Sequence, residues 1–265
     1  MKSIDRSAAQ DLGNPLPFSV ATKVHQLGTH SGLVQSYYSL TTTNEQGLLV
    51  PPDGLTGLVL IDEQMWWLGP QTRPWRSERT GLEVYGLRIG LAWGQFIAGK
   101  PLDKLRDARL PIEELWGCAE ATSATSLFAQ LPIERLKTLL TTRAAGGSVD
   151  PLIAKVAGLV RAGEHSVAEI ADLSELSPRQ LHRRCLTHFG LPPSALMRIF
   201  RLRRAAAESA TCRNLGLAEL AVANGYFDQS HLNRDTRELS GQRPGAAFER
   251  ASNVRFVQYQ PHTAQ

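Results

Sequence analysis

The sequence predicts an α+β protein, with a β-rich N-terminal half and an all-α C-terminal half that holds two helix-turn-helix units. Three observations carry this. The apolar period lengthens along the chain, positive charge gathers in the second half, and that half repeats itself at a spacing of fifty residues.

The N-terminal elements come first. Short β-favouring runs lie at residues 18–27, 33–43, 55–61, 65–68 and 82–89, separated by Gly28, Asn44, Gly47, the Pro51-Pro52-Asp53-Gly54 turn, Gly69-Pro70 and Gly81. Several short strands with frequent turn residues predict a sandwich or small barrel. Residues 91–98 read as one short helix closed by Gly99. Residues 125–143 read as a longer helix, with Leu127, Leu131, Leu136, Leu139 and Leu140 on its apolar face. Ala144-Ala145-Gly146-Gly147-Ser148 is the linker signal, dividing the chain into residues 1–145 and 146–253. From Asp150 onward the period is helical.

Composition narrows the class. With 42% hydrophobic and 20% charged residues, the 265-residue chain reads as soluble and globular. No apolar run approaches the ~20 residues of a membrane-spanning helix, so no membrane partner is expected. The opening Met1-Lys2-Ser3-Ile4-Asp5-Arg6 turns polar at once, unlike a secretory signal. Cys118, Cys185 and Cys212 lack any paired spacing, which points away from disulfides and zinc knuckles and toward a reducing cytoplasm.

Charge is uneven. Residues 1–147 carry 14 Lys and Arg against 14 Asp and Glu, whereas residues 148–250 carry 14 against 11. Between Arg179 and Arg204 there are seven arginines and no acid. Arginine's planar fork suits phosphate and guanine, and an acid-free run can approach a polyanion without repulsion. A solvated helix face would show the same charge, so the repeat decides.

In the first copy, Val167-Ala168-Glu169-Ile170-Ala171 leads to Ser177-Pro178-Arg179-Gln180-Leu181-His182-Arg183-Arg184. In the second, Leu217-Ala218-Glu219-Leu220-Ala221 leads to Asp228-Gln229-Ser230-His231-Leu232-Asn233-Arg234, one residue further on. A helix-turn-helix needs a short first helix with small residues, so that the second can cross it closely; Ala168, Ala171, Ala218, Ala221 and Ala223 provide them. Gly225 turns the chain in the second copy and Ser174-Glu175 in the first. Ser177 before Pro178, and Asp228, are suitable N-caps. If Leu181 and Leu232 face inward, Arg183 and Arg234 lie about 200° around the helix and point outward. There an arginine can reach O6 and N7 of guanine in a major groove. Arg179 shares the face of Arg183, flanked by Gln180 and His182; Ser230 and His231 occupy comparable places in the second copy. Residues 193–209 form one connecting helix, anchored by Leu196, Ile199, Phe200 and Ala207.

These residues resemble the double helix-turn-helix of AraC/XylS regulators. The likeness runs through Ala168–Ala171, Ser177–Arg183, the connecting Phe200-Arg201-Leu202-Arg203-Arg204-Ala205, Leu217–Ala221, Gly225-Tyr226, Asp228–Leu232 with Arg234, and the closing Gly241, Pro244 and Phe248. It covers residues 150–250. It implies two recognition helices in successive major grooves, a turn of ~34 Å apart on one DNA face. Arg179, Gln180, His182 and Arg183 would read one half-site, and Ser230, His231, Asn233 and Arg234 the other. Arg184, Arg201, Arg204 and Arg237 are phosphate candidates. The chain departs from the pattern at Cys185 and Thr236, where aromatics are usual, and at Arg243 before Pro244.

By the same resemblance, residues 1–145 are a cupin-like sensor and the chain is an AraC-type transcription regulator. Pro52-Asp53-Gly54, Leu68-Gly69-Pro70-Gln71, Gly86-Leu87-Arg88-Ile89 and Leu115-Trp116-Gly117 look like such a domain. Double-stranded DNA is the expected partner, with a small-molecule effector, a second copy paired through residues 125–143, and RNA polymerase if the regulator activates. Tyr38, Trp66, Arg73, Tyr85 and Arg88 are candidates to line an effector pocket. No cofactor, metal or catalytic residue is expected. His25 and His30, five residues apart, do not share a strand face, which argues against the alternative of a cupin-type metal enzyme with a DNA-binding tail. An alkyl-accepting cysteine would need an activated thiolate, and the scattered cysteines offer no cluster.

Overall fold

The computed structural model describes residues 24–26, 32–41, 48–62, 64–77, 81–117, 140, 142–145, 147–212, 215–253 and 256–258. Its α+β layout is the one the sequence predicts. The N-terminal half supplies strands β1 (Val24–Gln26), β2 (Val34–Thr41), β3 (Leu48–Val50), β4 (Thr56–Ile61), β5 (Gln64–Leu68), β6 (Trp75–Ser77), β7 (Glu83–Ile89) and β8 (Arg109–Pro111), and the chain returns at β9 (Phe256–Gln258). The main sheet runs in the order β8-β5-β4-β7-β2-β1-β9, and β3 pairs separately with β6. Its pairings are antiparallel except that of β1 with β9. β3, β6 and β8 are only three residues long, too short to show an alternating pattern.

Strand alternation sorts the apolar residues onto two faces. Leu58, Leu60, Met65, Trp67, Leu87 and Ile89 face one side and are covered by Ile97 of helix α1 (Gly94–Ala98), by Leu102 and Leu105 of a 3-10 turn (Leu102–Leu105), and by Trp116 of α2 (Glu113–Trp116). Val59, Leu68 and Val84 face the other, with Val50 and Leu82. Of the helix expected over residues 125–143, only Leu140 and residues 142–143 fall among the described residues. Leu140 and Ala144 are buried in the same core as Leu58, and Arg143 Nε donates to the Ile97 carbonyl at 2.8 Å while its guanidinium lies 4.5 Å from the Trp116 ring. At that end the segment packs on its own sheet. Its other leucines, most of residues 18–27, His30 and Cys118 lie outside the described residues.

The helical half contains α3 (Pro151–Ala162), α4 (Val167–Leu173), α5 (Pro178–Phe189), α6 (Pro193–Thr211), α7 (Leu217–Ala223), α8 (Gln229–Ser240) and α9 (Pro244–Asn253). Local chemistry fixes the starts. Asp150 accepts from Leu152 N, Ser166 and Glu169 bond reciprocally, Ser177 and Gln180 do the same, and Asp228 accepts from His231 N at 2.7 Å. The core joins Ile153, Val156, Ile170, Leu181, Phe189, Ile199, Phe200, Leu220, Leu232 and Phe248, and it also takes in Leu55 and Leu91 from the sheet half.

The two halves meet through more than those leucines. Asp53 and Arg88 form a buried ion pair, with Oδ2 and Nε 2.7 Å apart, and Arg203 Nη1 donates to the Asp53 carbonyl at 2.7 Å. Burial pulls the Arg203 guanidinium down to about 10, against the opposing pull of Asp53. Gly54 backs onto the Phe200 ring. Arg106 Nε donates to the Gly190 carbonyl at 2.9 Å. A side chain at Gly190 would collide with Pro70 and come within 2.8 Å of the Leu102 carbonyl, and Gly241 sits beside Pro74. The sheet half therefore touches the C-terminal ends of α5 and α8 and the middle of the α6 helix between them. No helix among the described residues is long and apolar enough to cross a membrane.

Candidate nucleic-acid interface

The two helix-turn-helix units share one construction. In the first, Leu176 N donates to the Ala171 carbonyl at 2.9 Å; in the second, Tyr226 N donates to the Ala221 carbonyl at 3.0 Å. Between them the chain turns through a left-handed residue at the equivalent place, Glu175 with φ 53° and Gly225 with φ 72°. Ala171 and Ala221 are fully buried where the helices cross. Ala168, Ala218 and Ala223 are exposed instead. Only one small residue per unit sits at the crossing, because the other positions rotate off the contact line.

The second helix of each unit is phased by its leucine. Leu181 and Leu232 are fully buried. Arg179, Gln180, His182 and Arg183 are exposed on α5, and Ser230 and Arg234 on α8. Arg179 and Arg183, four apart, lie on one face. Gln180 also serves the helix start, its Oε1 accepting from Ser177 N at 2.8 Å. His231 and Asn233 are half-buried. The His231 ring meets Tyr226 edge-on at 5.1 Å, and Arg201 lies 5.3 Å from the other partner of that stack, the Tyr226 ring.

The acid-free arginine run does not form one cationic face. Arg184 pairs with Asp150 at 3.3 Å, the residue that caps α3. Arg198 Nε lies 2.7 Å from the buried Asp235 carboxylate and also pairs with Glu238, tying α6 to α8. Arg203 faces Asp53, and Arg204 Nη1 donates to the Arg161 carbonyl at 3.0 Å. Acids distant in sequence are brought to Arg184 and Arg198 by the fold, and backbone carbonyls to Arg203 and Arg204. Of the seven, Arg179 and Arg183 are exposed. Among the phosphate candidates, Arg184, Arg201 and Arg204 are half-buried and Arg237 is exposed. The structural role of Arg198 had no sequence signal, since Asp235 and Glu238 lie about ten turns of helix away along the chain.

The departures from the family pattern are accommodated. Thr236 is fully buried, with its hydroxyl donating to the Leu232 carbonyl at 2.7 Å. Cys185 is fully buried, and burial pushes its thiol up to about 12, the reverse of an activated thiolate.

Among the five effector-pocket candidates, Trp66 and Tyr85 lie on opposite faces of the sheet. Trp66 packs beside Val59 and Leu68 on one sheet face, and Tyr85 beside Leu58 and Leu87 on the other. Period-two alternation separates them. Arg88 is held in the buried pair with Asp53, Arg73 is exposed, and Tyr38 stands opposite Gly86 in the sheet. The described residues hold no group of three or more His, Cys, Asp or Glu that could bind a metal.

A family described as a helix-turn-helix domain matches residues 170–250. The chain matches no curated protein sequence. It is similar to a 1.65 Å structure of ToxT from Vibrio cholerae, with TM-score 0.46 and 11% identity over 86% of this chain and 97% of that one. A structure of ToxT from Vibrio cholerae O395 is similar at TM-score 0.44 and 12% identity, over 88% and 98%. The C-terminal domain of AraT from Geobacillus stearothermophilus is similar at TM-score 0.36 and 17% identity, over 44% and 96%.

Proposed function

We propose that this chain, whose residues 170–250 form an AraC-type helix-turn-helix domain, is a sequence-specific transcription regulator controlled through its N-terminal sheet domain. The observation that carries the reading is the pair of units with one turn geometry, each presenting an exposed arginine two residues beyond a buried leucine. Arg179, Gln180, His182 and Arg183 read one half-site; Ser230, His231, Asn233 and Arg234 read the other. Arg237 positions the backbone, and Arg184, Arg201 and Arg204 hold the helices that carry the readers, with their exposed edges toward phosphate. The domain boundary falls at residues 145–146, and the protein acts in the cytoplasm by binding, not by catalysis.

Control is exerted by a small molecule or partner on residues 1–145. Its route to DNA is the set of contacts from the sheet half to the ends of α5 and α8 and to Arg203 of α6. A change in the sheet domain would alter the distance between the two readers. RNA polymerase is the further partner of an activating form, and a second copy that of a dimer.

Selection of genomic fragments by the purified full chain, followed by footprinting, tests the reading. A protected site with two half-sites one helical turn apart is expected. Arg183→Ala and Arg234→Ala should each cost about 1–3 kcal/mol of discrimination against the wrong base in competition binding. Full specific affinity in both variants would remove the assignment.

A further inference from the structure

The two units differ by one residue, and the structure identifies it. Leu176 and Tyr226 are equivalent, since each donates to the alanine that closes its turn. In the first unit the N-cap Ser177 follows Leu176 directly. In the second, Phe227 intervenes before the N-cap Asp228. Phe227 is therefore the insertion.

A hydrophobic residue just before an N-cap ordinarily packs on the fourth helical residue as a staple. Leu176 is half-buried against the core that holds Leu181 and follows that rule. Phe227 does not. It is 91% exposed, while Leu232, the residue it would staple, is fully buried under other groups. Tyr226 has taken the inward place. An inserted polar residue would serve as a spacer without leaving a ring in water. Phe227 stands just before the N-terminal end of α8, next in sequence to the exposed Asp228, Gln229 and Ser230. That end of a recognition helix enters the major groove. There the one apolar feature on a base pair is the thymine 5-methyl group.

We propose that Phe227 is a specificity-determining residue of the second unit, packing its ring on a thymine methyl group within the half-site that Arg234 reads. This rests on the DNA-reading assignment above and adds a base preference that the first unit lacks. The occupant is DNA, because the ring stands at the end of α8 that the reading above places in the groove.

The test uses the full chain and the duplex recovered by selection, with each thymine of the second half-site replaced singly by deoxyuridine, which lacks only the methyl group. One such replacement should weaken wild-type binding about fourfold, the effect of one carbon at ~0.8 kcal/mol. In Phe227→Ala that replacement should have no effect, while Phe227→Leu should keep part of it. Non-specific affinity and the first half-site footprint should be unchanged in both variants. If deoxyuridine has no effect anywhere in the second half-site, or acts equally on wild type and Phe227→Ala, the thymine contact is wrong although the regulator reading stands. Loss of transcriptional response in Phe227→Ala with unchanged DNA binding would overturn it in favour of a protein contact. If the full chain selects no sequence, the DNA-reading assignment fails, and this inference with it.

Discussion

Glu175 and Gly225 hold one backbone position in two chemistries. Both lie at positive φ, the region where a Cβ crowds the following carbonyl and glycine is at ease. Glu175 carries that strain while glycine would not, so Glu175→Gly should stabilise the protein by about 0.5–1 kcal/mol. Gly225→Ala should cost about 1 kcal/mol, and all of it conformational, because nothing lies within 4 Å of the added carbon. Urea unfolding of both variants checks the pair, and equal signs would show that the two turns are not equivalent. Arg183 and Arg234 were legible at this scale because a buried leucine two residues earlier fixes their phase. Arg88 was not. Its neighbours Leu87 and Ile89 mark it as a strand residue on the face opposite theirs, but nothing local says that Asp53 will neutralise it.

At the scale of elements, helix starts are written locally and sheet edges are not. Asp228 and Ser177 each lie three residues from the amide group that they satisfy, so their capping could be read directly. Asp228→Ala should lower stability by about 1 kcal/mol and loosen the first turn of α8, measured as faster amide exchange at His231; unchanged exchange there would show that the cap is not what holds the turn. The long strands were legible from alternation, but β3, β6 and β8 have three residues each and exist through their partners. The same alternation that revealed β5 and β7 also divides Trp66 from Tyr85. A candidate pocket assembled from aromatic types alone ignores which face each strand position must take. The arginine run shows the converse limit, since Arg184 and Arg198 lie in a stretch without acids while the packing of the α3 cap and α8 supplies Asp150, Asp235 and Glu238.

The whole molecule is joined at Asp53. Its carboxylate meets Arg88, its amide carbonyl accepts from Arg203, and Leu55 two residues on enters the helical core. Removing one partner of a buried ion pair leaves the other charge uncompensated, which costs far more than an exposed pair returns. Asp53→Asn keeps the side-chain oxygen that accepts from Leu55 N but loses the charge, and it should destabilise the full chain by about 3 kcal/mol in urea unfolding. A loss below about 1 kcal/mol would mean that the buried Asp53–Arg88 pair contributes no more than an exposed one. What the sequence determined by itself is the set of features whose causes lie within a few residues: strand and helix periods, the caps, the fifty-residue repeat and the outward phase of Arg183 and Arg234. The tertiary structure decided which arginines meet acids, that the inserted Phe227 stays exposed, and how the sheet half touches the C-terminal ends of α5 and α8. Those depend on groups far apart in the chain, and neither charge nor periodicity carries information about a partner that only folding brings near.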